Sequence, residues 1–366
     1  MIKKLRKMYM ASEQTTKPIL PIPFRLHWVK YRKKLMFNEA ATYWTFGKRF
    51  VGKSSLGETI VTHHLAAGCT ALDLFCSRDN ESLGWCRSPY KNDVLLLVGN
   101  TVSLEFEKET FPWMRINEFS LKEAEKHKLV VTAPKFYSSE HEQYTALSSV
   151  VDMLKWREEF KKIIILVVRE ASRLLRARIV AGVVKSQMDA EYEMIDLLQE
   201  SYHTGVAIMI DSLRPLSIEK SVREIANYTM IKRLGRQSLP DEFKFLMSVI
   251  NPSDLRVMPI DQFVLWSDDD MIAIGSFDMV PWHIIRGESM MKSLGIKVKA
   301  VQSTTEITFS DAKRKVTREI HLKIVELRNE GLSFEKIANR SEVNLAMNTV
   351  RVQVQQHQKG LCLCNV

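Results

Sequence analysis

A glycine-rich loop at residues 47–54 is the clearest sign of chemistry in this sequence. It opens with a glycine, continues with four residues of any type, and closes with glycine, lysine and serine. Backbone N–H groups in such a loop surround phosphate oxygens, and the N-terminus of the helix that follows adds a favourable dipole. We expect Lys53 to reach the β- and γ-phosphates of a nucleotide and Ser54 to bind Mg²⁺. The predicted nucleotide-binding residues are Gly47, Lys48, Arg49, Phe50, Val51, Gly52, Lys53, Ser54 and Ser55.

A second candidate follows the apolar run Ile163–Val168, which has the length of a buried strand. In a nucleotide-hydrolysing site such a strand (the Walker B strand) usually ends in Asp-Glu: the aspartate helps to bind Mg²⁺ and the glutamate polarises the attacking water. Here Arg169 and Glu170 follow the run, so Glu170 stands in the place of the glutamate and Arg169 in that of the metal-binding acid. We predict Glu170 and Lys53 as catalytic residues. The alternative is that Glu170 is only an acid that starts a helix, favoured by the helix dipole.

These residues need a sheet to position them, and the pattern from about Tyr43 to Phe277 predicts one. Short runs rich in valine and isoleucine alternate with segments of helical length. Such runs are typical of strands buried on both faces of a parallel sheet. The predicted fold class is therefore α/β, a largely parallel sheet flanked by helices, with a small helical domain after it. The predicted strands are Thr42–Phe46, Ala71–Phe75, Val94–Val98, Leu129–Thr132, Ile163–Val168, Val206–Ile210 and Tyr228–Lys232, with a terminal hairpin over Gln262–Phe277.

Three segments together resemble the HerA/FtsK-type P-loop ATPases, a family of DNA-pumping motors with relatives in conjugation and virus packaging. The segments are the glycine-rich loop, the Ile163–Ala171 strand, and Tyr202–Pro215, which is similar to the family's histidine-glycine turn, strand and Ser/Thr-Gln-Arg-Pro. The next strand, within Asn227–Gly235, also resembles the family. The resemblance implies a P-loop NTPase with a RecA-like core. It also implies ATP and Mg²⁺ as cofactors, double-stranded DNA as partner, and a homo-oligomer, in the family a hexameric ring.

The sequence departs from the family at two positions. The sensor glutamine aligns with Leu213 and the Walker B aspartate with Arg169, so nucleotide binding is expected to be better preserved than turnover. Arg169 could add positive charge beside the phosphates, or it could repel Mg²⁺. The acids that could replace the lost metal ligand are Asp79, Glu81 and Asp211. Arginines that could complete a neighbouring subunit's site are Arg173, Arg176, Arg178 and Arg214, and the first three could equally form a solvated basic face.

The C-terminal segment resembles the start of a helix-turn-helix. A helix is predicted over Thr317–Asn329, Gly331 ends it, and a second helix begins at Ser333 and packs Ile337 inward. The predicted recognition helix opens near Asn348. The alternative is a three-helix module that binds protein. The predicted DNA contacts are Asn348, Arg351, Gln355 and Gln356 to base edges, and Lys313, Arg314, Lys315 and Arg318 to the phosphate backbone.

Composition limits the class of protein. The chain has 366 residues, 45% hydrophobic and 26% charged, which is typical of a globular protein and argues against a disordered chain. The sequence has no apolar run long enough for a membrane span, and its five cysteines fit reduced thiols, so we expect a cytoplasmic protein. The predicted organisation is a basic arm over 1–40, the ATPase core over 41–286, a linker or packing helix over 287–307, and the helix-turn-helix-like domain over 308–366.

Charge and motifs leave three functions open. The net charge is +10, and residues 1–35 carry ten Lys/Arg and one acid, which favours polyanions as partners. The first function is a DNA-associated ATPase that moves or remodels double-stranded DNA. The second is a nucleotide-gated DNA-binding regulator with little or no hydrolysis. The third is a scaffold in which the phosphate loop is a relic.

Overall fold

The computed structural model describes residues 19–31, 35–76, 80–157, 162–175, 185–282, 289–300 and 318–330, with the single residues 337, 340, 343, 350, 354 and 357. The chain divides into two units, Met1–Val301 and Gln302–Val366. The first unit contains every strand in the described part of the chain. In chain order these strands are β1 Phe24–Lys30, β2 Thr42–Phe46, β3 Thr70–Phe75, β4 Val94–Val98, β5 Val102–Phe106, β6 Trp113–Arg115, β7 Leu129–Val131, β8 Ile164–Val168, β9 Val206–Ser212, β10 Tyr228–Ile231, β11 Gln262–Ser267, β12 Ile272–Phe277 and β13 Ile296–Ala300.

Eleven of these strands form one sheet, in the order β1-β12-β11-β10-β2-β9-β8-β3-β7-β4-β6. From β10 to β6 all neighbours are parallel. Strands β11, β12 and β1 continue the sheet in antiparallel pairs. The predicted fold class is confirmed, because the parallel part holds all seven predicted strands and the antiparallel part holds the predicted hairpin.

The first five described helices lie in connections between strands of the parallel part of the sheet. The described helices are α1 Lys53–Ala66, α2 Leu121–Lys126, α3 Glu140–Lys155, α4 Lys185–Glu200, α5 Lys220–Ile225, α6 Pro252–Val257, α7 Met290–Leu294 and α8 Arg318–Asn329. Every residue of β2, β4 and β8 is buried, as expected for strands covered on both faces. The strands and helices of the first unit share one apolar core.

Strand β1 corrects the prediction that residues 1–40 form an arm. It pairs antiparallel with β12 and alternates between half-buried Phe24, Leu26 and Trp28 and exposed Arg25 and His27. This period of two is that of an edge strand with one face on the core. The basic residues that suggested an arm are thus partly the exposed face of a strand.

Residues 289–300 correct the prediction of a linker over 287–307. Helix α7 buries Met290, Met291 and Leu294, and β13 pairs antiparallel with β5. The alternative of a packing helix is therefore correct for α7. Both elements belong to the first unit.

The second unit is described mainly by α8. A small apolar cluster accompanies it, and Ile337 is buried there as predicted. The cluster consists of Ile324, Leu327, Ile337, Val343, Val350 and Val354.

Candidate nucleotide site

The candidate site lies where four adjacent parallel strands end. Strands β2, β9, β8 and β3 are neighbours in that order, so their carboxyl ends meet at one edge of the sheet. The glycine-rich loop follows β2, Arg169 and Glu170 follow β8, and Asp211 is at the end of β9. Ligands of open α/β sheets bind outside this edge.

The backbone of the loop is held against the next strands. Lys48 N–H donates to the Arg233 carbonyl at 3.0 Å. Gly52, at φ 78°, precedes α1, and a Cβ there would meet the Ile260 carbonyl oxygen at 2.9 Å. Phe50 also has positive φ, at 59°, and its side chain is 91% exposed. The loop therefore needs glycine at position 52 and turns its tip into solvent.

Lys53 is at the first turn of α1 and is buried. Its ammonium donates to the Lys48 carbonyl at 3.0 Å, across the base of the loop. Burial lowers the pKa of Lys53, while nearby Asp211, Glu81 and Glu170 oppose that shift. The ammonium is thus enclosed by the loop beside three carboxylates.

Ser54 links two of these carboxylates. Its hydroxyl donates to Glu81 Oε2 at 3.0 Å, and its Oγ lies 3.4 Å from Asp211 Oδ2. Asp211 Oδ1 accepts from the Glu170 N–H at 2.6 Å. Because Asp211 touches both segments, it joins the start of α1 to the end of β8. Ser55, also predicted to bind nucleotide, is fully buried, and its hydroxyl accepts from the Val280 N–H at 2.9 Å.

Arg169 is held by acids on two neighbouring elements. Its Nε donates to both carboxylate oxygens of Asp73, at 3.1 and 3.0 Å, and Nη1 lies 2.9 Å from Glu58 Oε1. Trp85 Nε1 donates to the same aspartate at 2.8 Å. Burial alone would lower the pKa of Arg169, but Asp73 and Glu58 raise it well above its ordinary value. The arginine is therefore charged and its charge is balanced inside the protein.

Asp73 and Glu58 are the residues that the sequence interpretation missed. Asp73 lies in the buried strand β3, and β3 is the neighbour of β8, where the Arg169 N–H donates to the Phe75 carbonyl at 2.7 Å. Glu58 is four residues after Ser54 on α1, on the same side of the helix. An acid inside an otherwise apolar strand was the available signal, since a buried carboxylate requires a partner.

Some of the other predicted site residues lie in the part of the chain that the structure describes, and others do not. Glu170 is half-buried at φ 49°, just before a short 3-10 turn, Ala171–Arg173, and not at an α-helix start. Arg173 is 3.1 Å from Glu140, and Arg214 is exposed. Leu213 is half-buried. The predicted residues Asp79, Arg176, Arg178, Lys313, Arg314, Lys315, Asn348, Arg351, Gln355 and Gln356 lie outside the described residues.

No helix in the described part of the chain has the length and apolar character needed to cross a membrane. Cys69, Cys76 and Cys86 are buried free thiols. Burial raises the pKa of the Cys76 thiol to about 12, so it is a neutral core residue.

Comparisons with known proteins gave structural neighbours alone. No family model and no curated protein matched the sequence. The DNA-packaging ATPase of Sulfolobus turreted icosahedral virus is similar with 13% identity and a TM-score of 0.39, over 66% of this chain and 99% of that chain. The genome-packaging NTPase of Sulfolobus turreted icosahedral virus 2, solved with sulfate, is similar with 13% identity and a TM-score of 0.38, over 66% of this chain and 97% of that chain. The pCW3 conjugation coupling protein TcpA, in a monomer form with ATPγS, is similar with 16% identity and a TM-score of 0.37, over 71% of this chain and 71% of that chain. Sequence identity and TM-scores this low assign no activity to this chain, so a function has to be argued from its own residues.

Proposed function

We propose that the protein binds ATP with Mg²⁺ at the glycine-rich loop and couples ATP hydrolysis to moving or remodelling double-stranded DNA. One observation supports nucleotide binding. The Lys53 ammonium and the Ser54 hydroxyl lie together at the N-terminus of α1, and Glu170 follows the adjacent strand end. A lysine, a hydroxyl and a free helix N-terminus are the groups that bind phosphates and their metal in such loops.

Each residue has a distinct role in this proposal. Lys53 exchanges the Lys48 carbonyl for phosphate oxygens and balances their charge. Ser54 offers its hydroxyl to Mg²⁺, and the carboxylate oxygens beside it make this a fitting donor set, because Mg²⁺ prefers oxygen ligands. Bound Mg²⁺ would neutralise the charge that develops on the phosphates. Glu170 accepts a proton from the attacking water.

The DNA part rests on the sequence. The resemblance to DNA-pumping ATPases and the net charge of +10 favour a polyanionic partner. In this proposal the helix-turn-helix-like segment and its basic residues contact DNA, and several copies of the chain assemble, with Arg173, Arg176, Arg178 or Arg214 reaching a neighbour's nucleotide.

One observation favours a second candidate, a nucleotide-gated DNA-binding regulator. Arg169 stands where a hydrolytic site has a metal-binding acid, and it is paired with Asp73 and Glu58. A site altered in this way could bind nucleotide and hydrolyse it slowly. Steady-state phosphate release separates the two candidates.

Equilibrium binding of ATPγS tests what both candidates share. We expect Lys53→Ala to lose binding, and Lys91→Ala, at a surface lysine paired with Glu109, to bind as the wild type does. If the wild type binds no nucleotide, or binds it equally well without the Lys53 ammonium, the phosphate loop is a relic and both candidates fail.

A further inference from the structure

We propose that Glu81 and Asp211 bind the divalent cation at Ser54, in place of the strand-end acid that is absent at position 169. The inference rests on the proposed function, because the cation would enter with the phosphates of a nucleotide. It identifies two ligands from elements other than the strand that usually supplies one: Glu81 begins the 3-10 helix Glu81–Arg87, and Asp211 is on β9.

The spacing of the three side chains suits an octahedral ion. Mg²⁺ binds oxygen at about 2.1 Å with right angles between adjacent ligands, so neighbouring ligand oxygens stand about 3.0 Å apart. In the structure Ser54 Oγ is 3.0 Å from Glu81 Oε2 and 3.4 Å from Asp211 Oδ2. The hydroxyl is therefore spaced from each carboxylate oxygen approximately as adjacent ligands of one Mg²⁺ ion are.

Charge at the site calls for a cation. Three carboxylates, of Asp211, Glu81 and Glu170, lie near Lys53, and Arg49 is one further cation there, so acids outnumber cations before any phosphate is present. A nucleotide placed there without a metal would be repelled by these carboxylates.

Arg169 does not provide this positive charge to the phosphates. Its guanidinium is buried, bonded to Asp73, and 2.9 Å from Glu58, whereas Nη1 is 3.9 Å from Glu81. Those shorter contacts balance its charge away from Ser54. The arginine thus makes its shortest contacts with Asp73 and Glu58, and its contact with Glu81 is the longest of the three.

Titration with Mn²⁺, followed by the electron paramagnetic resonance signal of the free ion, tests these ligands without turnover. In the presence of saturating ATPγS, we expect Glu81→Gln and Asp211→Asn each to weaken Mn²⁺ binding about ten- to a hundredfold, a range that the loss of even an outer-sphere partner produces. The exposed Glu109→Gln should bind Mn²⁺ as the wild type does. Asparagine at position 211 still offers an oxygen to the Glu170 N–H, so the site should keep its fold.

Two results would overturn the inference while leaving the proposed nucleotide site intact. One is wild-type Mn²⁺ affinity in both variants. The other is ATPγS binding by the wild type that is equally tight in EDTA and in Mg²⁺. That result would mean that charged groups of the protein, and not a metal ion, balance the phosphate charge. Failure of the proposed function looks different, since the wild type would then bind no ATPγS in either buffer.

Discussion

Replacing Arg169 by methionine should destabilise the protein by about 3–5 kcal/mol, although the new side chain is apolar and of similar length. The physical reason is the burial of its partners. Asp73 and Glu58 are 0% and 1% exposed, and both contact the guanidinium. Without that cation their negative charges stay buried beside each other, which is the costly way to break an ion pair.

A surface pair gives the matched control. Arg173 lies 3.1 Å from Glu140, and both side chains are partly exposed. Such a pair contributes about 0–1 kcal/mol, so Arg173→Met should cost far less than Arg169→Met. Urea unfolding followed by tryptophan fluorescence measures both, and Trp85, which donates to Asp73, places a reporter beside the network.

The same network predicts a rescue. The triple variant Arg169→Met, Asp73→Asn, Glu58→Gln removes all three charges and should recover most of the lost stability. If Arg169→Met costs no more stability than Arg173→Met, the buried network does not exist as described, and Asp73 and Glu58 do not hold Arg169 behind the proposed metal site.

Two further predictions concern the pH dependence of stability and the phosphate loop. Burial lowers the pKa of His64 to about 3, so between pH 6.5 and 3 the unfolded chain binds a proton that the folded protein does not, and stability is lost as the pH falls through this window. In urea titrations, the free energy of unfolding of His64→Phe should therefore fall less between pH 7 and pH 4 than that of the wild type. The variant His27→Phe, at an exposed position, should match the wild type. Parallel pH profiles for wild type and His64→Phe would contradict the lowered pKa of His64. Gly52→Ala places a Cβ 2.9 Å from the Ile260 carbonyl oxygen at φ 78°, so it should weaken ATPγS binding at least about tenfold in calorimetry, and unchanged affinity would show that the loop tolerates that contact.

The parallel part of the sheet was predictable because each of its strands is marked by a local run of apolar residues. Runs such as Ile163–Val168 are apolar throughout, and burial on both faces selects such runs wherever they stand in the chain. The glycine-rich loop was predictable for the same reason, since its spacing alone fixes which residues begin α1. The fold class follows from these elements without knowledge of strand order.

Features that depend on distant parts of the chain were not predictable in this way. Strand β1 was missed because its place at the sheet edge depends on pairing with β12, some 240 residues later. The partners of Arg169 were missed because Asp73 reaches it only when β3 lies beside β8. The contact between Asp211 and Ser54 likewise depends on the strand order, which places β9 beside β2 and so brings Asp211 next to the loop.

Steady-state phosphate release from Mg-ATP, with and without double-stranded DNA, separates a DNA-stimulated ATPase from a protein that only binds nucleotide. Wild type and Glu170→Gln should be compared in one assay. We predict release that DNA stimulates in the wild type and that the variant loses, because the proposed role of Glu170 is to accept the proton of the attacking water. Wild-type release no higher than that of the variant, with DNA present, would contradict the motor function and favour the nucleotide-gated regulator if ATPγS still binds.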